Sequence, residues 1–287
     1  MAARRNPDGD SPLCRQWLNR ASCAVRRKLA PRGEPVAPPE QPYLVVPVLG
    51  QSNAFGMGVP VDLTGADRPH PHVHQWAMCG PSKGTAVLAA DPLLHEIPAK
   101  GVGFGVTFAK ALADDTGRAV LLIPLARGDT SFTPKNGYTW DPADTHTRVN
   151  LYRNAVRAID TALAQYSGSE VVAVLWHQGE SDVPLTSASD YQIKLDGLIR
   201  DLRSKYGEDI PVLLGGMGPE EMERSHKDYS GINAVHAGTP TRVPRTAFVE
   251  GPRAAYNSET DRHYSAEGQR ALGRAMWSAY RAMLSAS

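Results

Sequence analysis

Polar residues that could carry out chemistry follow four apolar runs of the sequence. A serine hydroxyl becomes a nucleophile when a base removes its proton, and glycine-rich loops expose backbone N–H groups that can bind a developing negative charge. Three of the four segments contain groups suited to acyl transfer. The segments are Gly50-Gln51-Ser52-Asn53, Ala126-Arg127-Gly128-Asp129, His177-Gln178-Gly179-Glu180-Ser181-Asp182 and Gly215-Gly216-Met217-Gly218.

Ser52 is the candidate nucleophile. It directly follows an apolar run and lies between Gly50 and the glycines at 56 and 58, where little side-chain bulk limits the approach of a substrate. The alternative role is an N-cap for a following helix. The two roles are compatible, because the N-terminus of a helix also favours a negative charge.

The polar segments depend for their position on short apolar runs that alternate with amphipathic stretches. This alternation predicts βαβ units and a parallel sheet covered by helices on both faces. In such a sheet the loops at the carboxyl ends of the strands converge, and ligands bind there. The predicted strands are residues 43–49, 120–125, 171–176, 212–214 and 246–249, with a weaker candidate at 73–77.

Apolar residues at spacings of three and four predict helices between the strands. A capping box at Ser189 and Gln192 is expected to start the second of these helices, and Ser265 is expected to cap the last. The stripes are Leu151, Ala155, Ile159 and Leu163; Tyr191, Leu195, Leu198 and Leu202; and Leu272, Met276, Ala279 and Met283.

Charge is distributed unevenly along the chain of 287 residues. Residues 1–40 hold eight Lys or Arg against four Asp or Glu, whereas the whole chain has a net charge of only +1. We expect residues 1–40 to form a basic extension, with a short helix marked by Leu18, Ala21, Val25 and Leu29 and a proline-rich linker over 31–42. Docking of this helix to an anionic surface is one hypothesis, and a brace against residues 41–287 is the other.

Three segments of the sequence carry a family resemblance: GQSNAFG at 50–56, HQGESD at 177–182 and DRHYSAEGQRALG at 261–273. Together they resemble the sialate O-acetylesterase-like carbohydrate esterases, within the SGNH hydrolases. The resemblance runs in order from residue 43 to the carboxyl end. It implies a three-layer α/β/α sandwich with a mainly parallel sheet of about five strands in a flavodoxin-like order. It also implies a serine esterase that cleaves acetyl or other short-chain esters on carbohydrate hydroxyls through an acyl-enzyme.

The resemblance assigns roles to individual residues. Ser52 corresponds to the nucleophile and His263 to the catalytic base, and backbone N–H groups of Ser52 and Gly128 with the Gln178 side chain would bind the oxyanion. The third member of the triad is open, because relatives carry Asp three residues before the His and this chain has Thr260 there. The candidate acids are Asp261 and, alternatively, Glu180. Residues of these loops are expected to contact the substrate: Gln51, Asn53, Arg127 and Asp129. For Arg127 and Asp129, pairing with each other or with solvent is the alternative.

The remaining expectations concern partners. His70, His72 and His74 alternate as metal ligands on a strand would, but no carboxylate or thiol completes a set, so we expect no metal and no cofactor. The charge pattern of the body predicts no nucleic-acid partner. No apolar stretch predicts a transmembrane helix or signal peptide, so a soluble or cytoplasmic protein is expected, with association to a cell envelope as an alternative. The sequence predicts no particular oligomeric state.

A non-catalytic carbohydrate-binding or adaptor module of the same fold is the alternative function.

Overall fold

The computed structural model describes residues 30–224 and 229–285. The helix predicted from Leu18, Ala21, Val25 and Leu29 lies outside these residues. Among the described helices, none combines the length and the hydropathy that crossing a bilayer requires.

One large sheet forms the centre of the fold. Along it the strands lie in the order β10-β9-β8-β1-β4-β2-β3, with β7 also beside β1. Neighbouring strands are parallel, except that β3 is antiparallel to β2. The strands are β1 Leu44–Gly50, β2 Val73–Trp76, β3 Ala86–Leu88, β4 Val120–Pro124, β7 Glu170–Val171, β8 Val174–His177, β9 Val212–Gly215 and β10 Thr246–Val249, with β5 Tyr138–Thr139 and β6 Val149–Asn150 as a separate pair.

The predicted fold class is confirmed, and the sheet is wider than predicted. The order β4-β1-β8-β9-β10 is the flavodoxin-like order of the five predicted strands. The weaker candidate at 73–77 is β2, and β3 adds an edge that sequence did not indicate, because three residues are too short a run to stand out. The predicted strand at 171–176 is divided into β7 and β8.

Helices cover both faces of the sheet in the described part of the chain. In strand β1, Val45 and Leu49 face one helical layer, while Val46 and Val48 face the other. A strand that is buried on both faces needs apolar residues at successive positions, which is why the predicted strands are continuous apolar runs. The layer with Val45 contains α3 Leu151–Gln165, α4 Ala188–Tyr206 and α6 Ser230–Arg242, and the layer with Val46 contains α1 Ser52–Phe55, α2 Phe104–Thr116 and α7 Ala266–Ser285. A short helix, α5 Pro219–Arg224, follows β9.

The helix starts agree with the sequence in one case and differ in another. Ser265 caps α7, because its hydroxyl accepts from the backbone N–H of Gly268 at 3.2 Å. The capping box predicted at Ser189 is wrong by two residues, since α4 is capped by Ser187, whose hydroxyl accepts from Asp190 N at 3.1 Å.

The first described residues pack against the sheet edge, where a linker was predicted. Pro35 forms a bridge with Val87 of β3, and Leu88 N donates to the Glu34 carbonyl at 2.9 Å. Ala30 is buried in a small apolar cluster with Cys79 and other side chains of this edge. Part of the proline-rich segment therefore belongs to the folded body, because it pairs with the edge strand β3.

Candidate active site

Ser52 stands at the carboxyl end of the central strand β1. The approach of the chain requires glycine at position 50, where φ is +124° and a Cβ atom would come within 2.0 Å of the His177 carbonyl oxygen. Gln51 N then donates to that same carbonyl at 2.9 Å, which joins the first loop to the end of β8. Ser52 is the first residue of α1, so its backbone N–H is among those that a helix leaves without an internal acceptor.

Gly128 lies directly beside Ser52. A Cβ atom built on Gly128 would contact the Ser52 Cβ at 3.9 Å, and Arg127 N donates to the Gly50 carbonyl at 3.0 Å. Within residues 30–224 and 229–285, neither the Ser52 nor the Gly128 backbone N–H has a hydrogen-bond acceptor. Two free donors next to a serine hydroxyl are the arrangement that binds the oxyanion of a tetrahedral intermediate.

His263 is paired with Asp261. Its Nδ1 lies 2.8 Å from Asp261 Oδ1, and its backbone N–H donates to the same oxygen at 3.1 Å. The other carboxylate oxygen accepts from Asn257 Nδ2 at 3.0 Å. Burial, the largest single effect, would raise the pKa of Asp261, but the hydrogen bonds from Asn257 and His263 and the nearby imidazole together hold it below its usual value. An ionised acid on Nδ1 leaves Nε2 as the ring atom available for catalysis.

Asn53 ties the loop of His263 to the loop of Ser52. Its side-chain oxygen accepts from Tyr264 N at 3.1 Å, and Gln269 Nε2 donates to its backbone carbonyl at 3.1 Å. No hydrogen bond joins the Ser52 hydroxyl to His263 in the described part of the chain. Hydrogen bonds between catalytic groups are often long or poorly aligned before substrate binds and tighten in the complex.

The expected contact of Gln51 and Asn53 with substrate stays a prediction, and in the structure both side chains are engaged inside the protein. Asn53 is 2% exposed and faces the loop of His263, and Gln51 is 4% exposed. The Gln51 side-chain oxygen accepts from Gln178 Nε2 and from Ser181 N, both at 3.2 Å. Both side chains turn inward because each satisfies buried donors of a neighbouring loop.

Gln178 is also internal. Its amide nitrogen lies 3.2 Å from Gln51 Oε1, 3.0 Å from the Thr130 carbonyl and 2.9 Å from Asp182 Oδ2. An amide has two protons, so these three acceptors leave none for an oxyanion. Its oxygen accepts from the Tyr191 hydroxyl at 3.0 Å. The oxyanion role of Gln178 stays a prediction, and in the structure its amide is engaged by Gln51, the residue that precedes Ser52, and by Asp182.

Asp182 completes what we call the inner network, which consists of Gln51, Gln178, Asp182 and Tyr191. Asp182 is fully buried and accepts from Phe132 N at 2.8 Å and Thr133 N at 3.1 Å, on the loop that follows Gly128. Burial raises the pKa of Asp182 although these donors oppose the change. One carboxylate thus fixes the loop of Gly128 and the side chain of Gln178 together.

Glu180, the alternative acid, faces a different histidine. Its Oε1 lies 3.7 Å from His177 Nδ1, and its side chain is 11% exposed. His177 Nε2 lies 2.9 Å from the Gly216 carbonyl, so it is held by the backbone. Of the two acids, it is Asp261 that the structure brings to His263.

Arg127 and Asp129 lie beside the site and have partners of their own. Arg127 pairs with Glu96 at 3.2 Å and stacks on the ring of Tyr138, with its guanidinium carbon 4.1 Å from the ring centre. Asp129 accepts from Lys135 and from Asn136 Nδ2, the latter at 3.2 Å.

The alternating histidines take part in unrelated contacts. His74 Nδ1 lies 2.7 Å from the Tyr43 hydroxyl, and His70 pairs with Asp114 at 3.2 Å. Over residues 30–224 and 229–285, no three His, Cys, Asp or Glu side chains are arranged to hold a metal ion.

Sequence reasoning did not identify Asn257, Gln269, Tyr191 or Asp182 as part of the site. Asp182 and Gln269 lie in the motifs at 177–182 and 261–273, which drew attention for other members, and this was the available signal for them. Asn257 lies outside the motifs, and neither its residue type nor that of Gln269 reveals a contact with a loop two hundred positions away.

Comparison with known proteins places this arrangement in a family. The family model described as carbohydrate esterase, sialic acid-specific acetylesterase, matches residues 43–282. A probable carbohydrate esterase of Arabidopsis thaliana is 32% identical over 188 residues, which are 58% of this chain and 64% of that relative. The chain therefore matches somewhat less than two thirds of that relative's length.

Solved structures with low sequence identity have the same fold. NanS has a TM-score of 0.71 at 18% identity, with 88% of this chain and 100% of that chain covered. The Arabidopsis thaliana protein has a TM-score of 0.67 at 22% identity, covering 84% and 99%. A carbohydrate acetylesterase from Xanthomonas citri has a TM-score of 0.58 at 16% identity, covering 85% and 57%.

Proposed function

Because the chain belongs to the carbohydrate esterase family of sialic acid-specific acetylesterases, a family of carboxylic ester hydrolases, we propose that it is a serine esterase that removes acetyl groups from carbohydrate hydroxyls. The observation that carries the proposal is the surroundings of Ser52. Among the described residues, the backbone N–H groups of Ser52 and of the neighbouring Gly128 have no acceptor, and Asn53 ties the loop of an Asp261-paired histidine to the loop of Ser52.

The first stage forms an acyl-enzyme. His263 Nε2 takes the Ser52 proton as the hydroxyl oxygen attacks the ester carbonyl, and Asp261 stabilises the resulting imidazolium. The carbonyl oxygen becomes an oxyanion that accepts from the Ser52 and Gly128 backbone N–H groups. Collapse of the intermediate breaks the bond to the sugar oxygen, which receives the proton from His263.

The second stage releases the acid. Water attacks the acyl-enzyme while His263 accepts its proton, the same two N–H groups hold the second oxyanion, and Ser52 recovers its proton as acetate leaves. In this scheme Gln178 acts through Gln51 and the position of Ser52.

A para-nitrophenyl acetate assay tests the proposal. We expect Ser52→Ala to lower kcat by about 10⁴-fold or more, because removal of a triad nucleophile has effects of this size. Ser278→Ala, an exposed hydroxyl that donates to the carbonyl of Arg274 within α7, is the matched control and should leave kcat unchanged. Turnover that survives Ser52→Ala would reject the mechanism. Glycan binding by a wild-type chain that hydrolyses no ester would favour the non-catalytic alternative.

A further inference from the structure

A groove of about 340 Å³ opens at the same edge of the sheet as Ser52. One wall is α3, and the other is formed by the segments that follow β2 and β4. Ser52, Asp261 and His263 do not line it. Its volume lies in the range of pockets that bind small molecules, and neither the Ser-His-Asp arrangement nor the family comparison assigns it a ligand.

The near end of the groove adjoins the nucleophile. Arg127 lines it, and the next residue along the chain, Gly128, contacts Ser52. Strand β4 lies between β1 and β2, so the groove begins about one strand spacing, roughly 5 Å, from the strand that carries Ser52. At this end the Arg127 cation is neutralised by Glu96.

The groove is long rather than round. Its lining follows α3 from Leu151 to Thr161, a rise of about 15 Å along the helix axis. Helix α3 starts at the carboxyl edge of the sheet and runs toward the opposite edge, because the chain continues from it into the amino ends of β7 and β8. A ligand in the groove therefore extends away from Ser52 along the helix.

Away from Arg127, the groove carries positive charge that no ion pair neutralises among the described residues. Lys83, in the segment that follows β2, and Arg157, on α3, both line the groove, and both are exposed. In the part of the chain that the structure describes, neither makes an ion pair, and the one side-chain partner of Arg157 is the amide oxygen of Asn154. Arg157 is six residues from Leu151, about 9 Å along α3.

The wall between the two ends suits a sugar. Apolar side chains of Met78, Leu125 and Leu151 line it beside the amide of Asn154. Carbohydrate ligands combine ring faces that pack on apolar surface with hydroxyls that need polar partners. The groove offers both kinds of surface.

We propose that this groove is a subsite for an anionic oligosaccharide, with the acetylated sugar at Ser52 and a carboxylate- or sulfate-bearing unit further along the same glycan at Lys83 and Arg157. The inference rests on the proposed esterase function and extends it. In this proposal the negatively charged unit lies more than one sugar ring away from the ester, so the substrate is longer than a monosaccharide.

Substrates of different charge provide the first test. Wild type should hydrolyse acetylated oligogalacturonides or sulfated, acetylated oligosaccharides with a lower KM than acetylated xylo-oligosaccharides of equal length, and the advantage should shrink in high salt. The carboxylated and sulfated series identify which anion fits. Equal KM for charged and neutral glycans would overturn the proposal.

Charge-removing variants provide the second test. Lys83→Gln with Arg157→Gln should raise KM for the charged glycan about tenfold or more, since each loses a charge-assisted contact, while kcat for para-nitrophenyl acetate stays unchanged. Arg68→Gln with Lys205→Gln, two exposed cations outside the groove, is the matched control. An unchanged KM in the first variant, or an equal rise in the control, would overturn the subsite.

Binding without turnover separates this inference from the esterase mechanism. Calorimetry on the Ser52→Ala protein with oligogalacturonides that carry no ester should show binding that Lys83→Gln with Arg157→Gln weakens. This result is independent of whether para-nitrophenyl acetate is hydrolysed. Binding that the groove variant leaves unchanged would contradict the subsite, even if the esterase mechanism holds.

Discussion

The two sides of the candidate site differ in burial and in bonding. On one side, the inner network of Gln51, Gln178, Asp182 and Tyr191 is almost fully buried and fixed by hydrogen bonds to three loops. On the other side, the base loop over residues 257–264 is open, with the side chains of His263 and Asp261 20% and 31% exposed. In the proposed mechanism, the buried and hydrogen-bonded side is the one where negative charge develops, and the more exposed side carries the proton acceptor.

If the backbone N–H groups of Ser52 and Gly128 bind the oxyanion as proposed, these donors are held in position before the base is. Backbone N–H groups aimed at a future charge are effective because they do not have to reorganise during the reaction. Asp182 keeps the loop after Gly128 in place through two backbone hydrogen bonds. His263, by contrast, makes no hydrogen bond to Ser52 among the described residues, so the proposed mechanism requires it to approach Ser52 when substrate binds.

The largest expected effect concerns the choice of acid on the open side. Asp261→Asn should lower kcat by roughly 10²- to 10⁴-fold, because an amide no longer stabilises the imidazolium. Glu180→Gln, its matched control, should lower kcat less than about tenfold, since Glu180 faces His177. Steady-state kinetics on folded variants measure both. A larger loss from Glu180→Gln would reverse the assignment.

A second prediction tests the rigid side. Asp182→Asn should destabilise the fold by about 3 kcal/mol. In this variant an amide NH₂ replaces one carboxylate oxygen, so buried donors that Asp182 accepts from lose their acceptor. It should also lower kcat with little change in KM, because the oxyanion forms only in the transition state. Urea unfolding and kinetics provide the two readouts.

Asp62→Asn is the control for this prediction. Asp62 also accepts from two backbone N–H groups, those of Gly65 and Ala66, but it does so on an exposed loop. It should change neither kcat nor KM. An Asp182 variant whose kcat matches that of the control would show that the network does not position the donors.

The smallest expected effect is a difference in pH dependence between two carboxylates. The pKa of Asp182 is raised above 3.8, so the folded state holds that proton longer than the unfolded state, and its contribution to stability declines as pH rises above 3.8. The pKa of Asp261 is lowered, so its contribution is present above pH 3.8 and is lost as pH falls below it.

Unfolding free energies measured from about pH 3 to pH 7 test these opposite signs. In wild type, Asp182 should make the unfolding free energy fall with pH by at most about 1.4 kcal/mol per pH unit, and Asp182→Asn should remove this slope. Asp261→Asn should remove a smaller positive slope, since solvent screens this more exposed group. Slopes of the same sign would mean that the two sides share one electrostatic environment.

Much of the site could be predicted because a parallel sheet collects the carboxyl ends of its strands at one edge. Ser52 and Gly128 follow neighbouring strands β1 and β4, so their proximity needed only the strand pattern and the sheet order. The approach of His263 needed the family resemblance, since a loop before the last helix can lie in many places. Asp261 remained one of two choices until the coordinates placed it at Nδ1.

The inward-facing residues could not be predicted in the same way. Gln51 and Asn53 flank the nucleophile in sequence, but the φ of +124° at Gly50 and the start of α1 at Ser52 turn both side chains toward buried donors. The orientation of the Gln178 side chain depends on Asp182, which lies four residues later in the chain. Asp182 also holds a loop fifty residues earlier. Such contacts are set by tertiary packing, and residue type does not reveal them.

A crystal structure of the enzyme after reaction with an alkyl fluorophosphonate would show which groups surround the reacting serine. We expect phosphorus on Ser52 Oγ and a phosphonyl oxygen that accepts from the Ser52 and Gly128 N–H groups. Gln178 should still be bonded to Gln51 and Asp182, and His263 should have moved to within hydrogen-bond distance of Oγ. Phosphorus on another residue, or Gln178 turned to donate to the phosphonyl oxygen while Gly128 does not, would contradict the proposed mechanism.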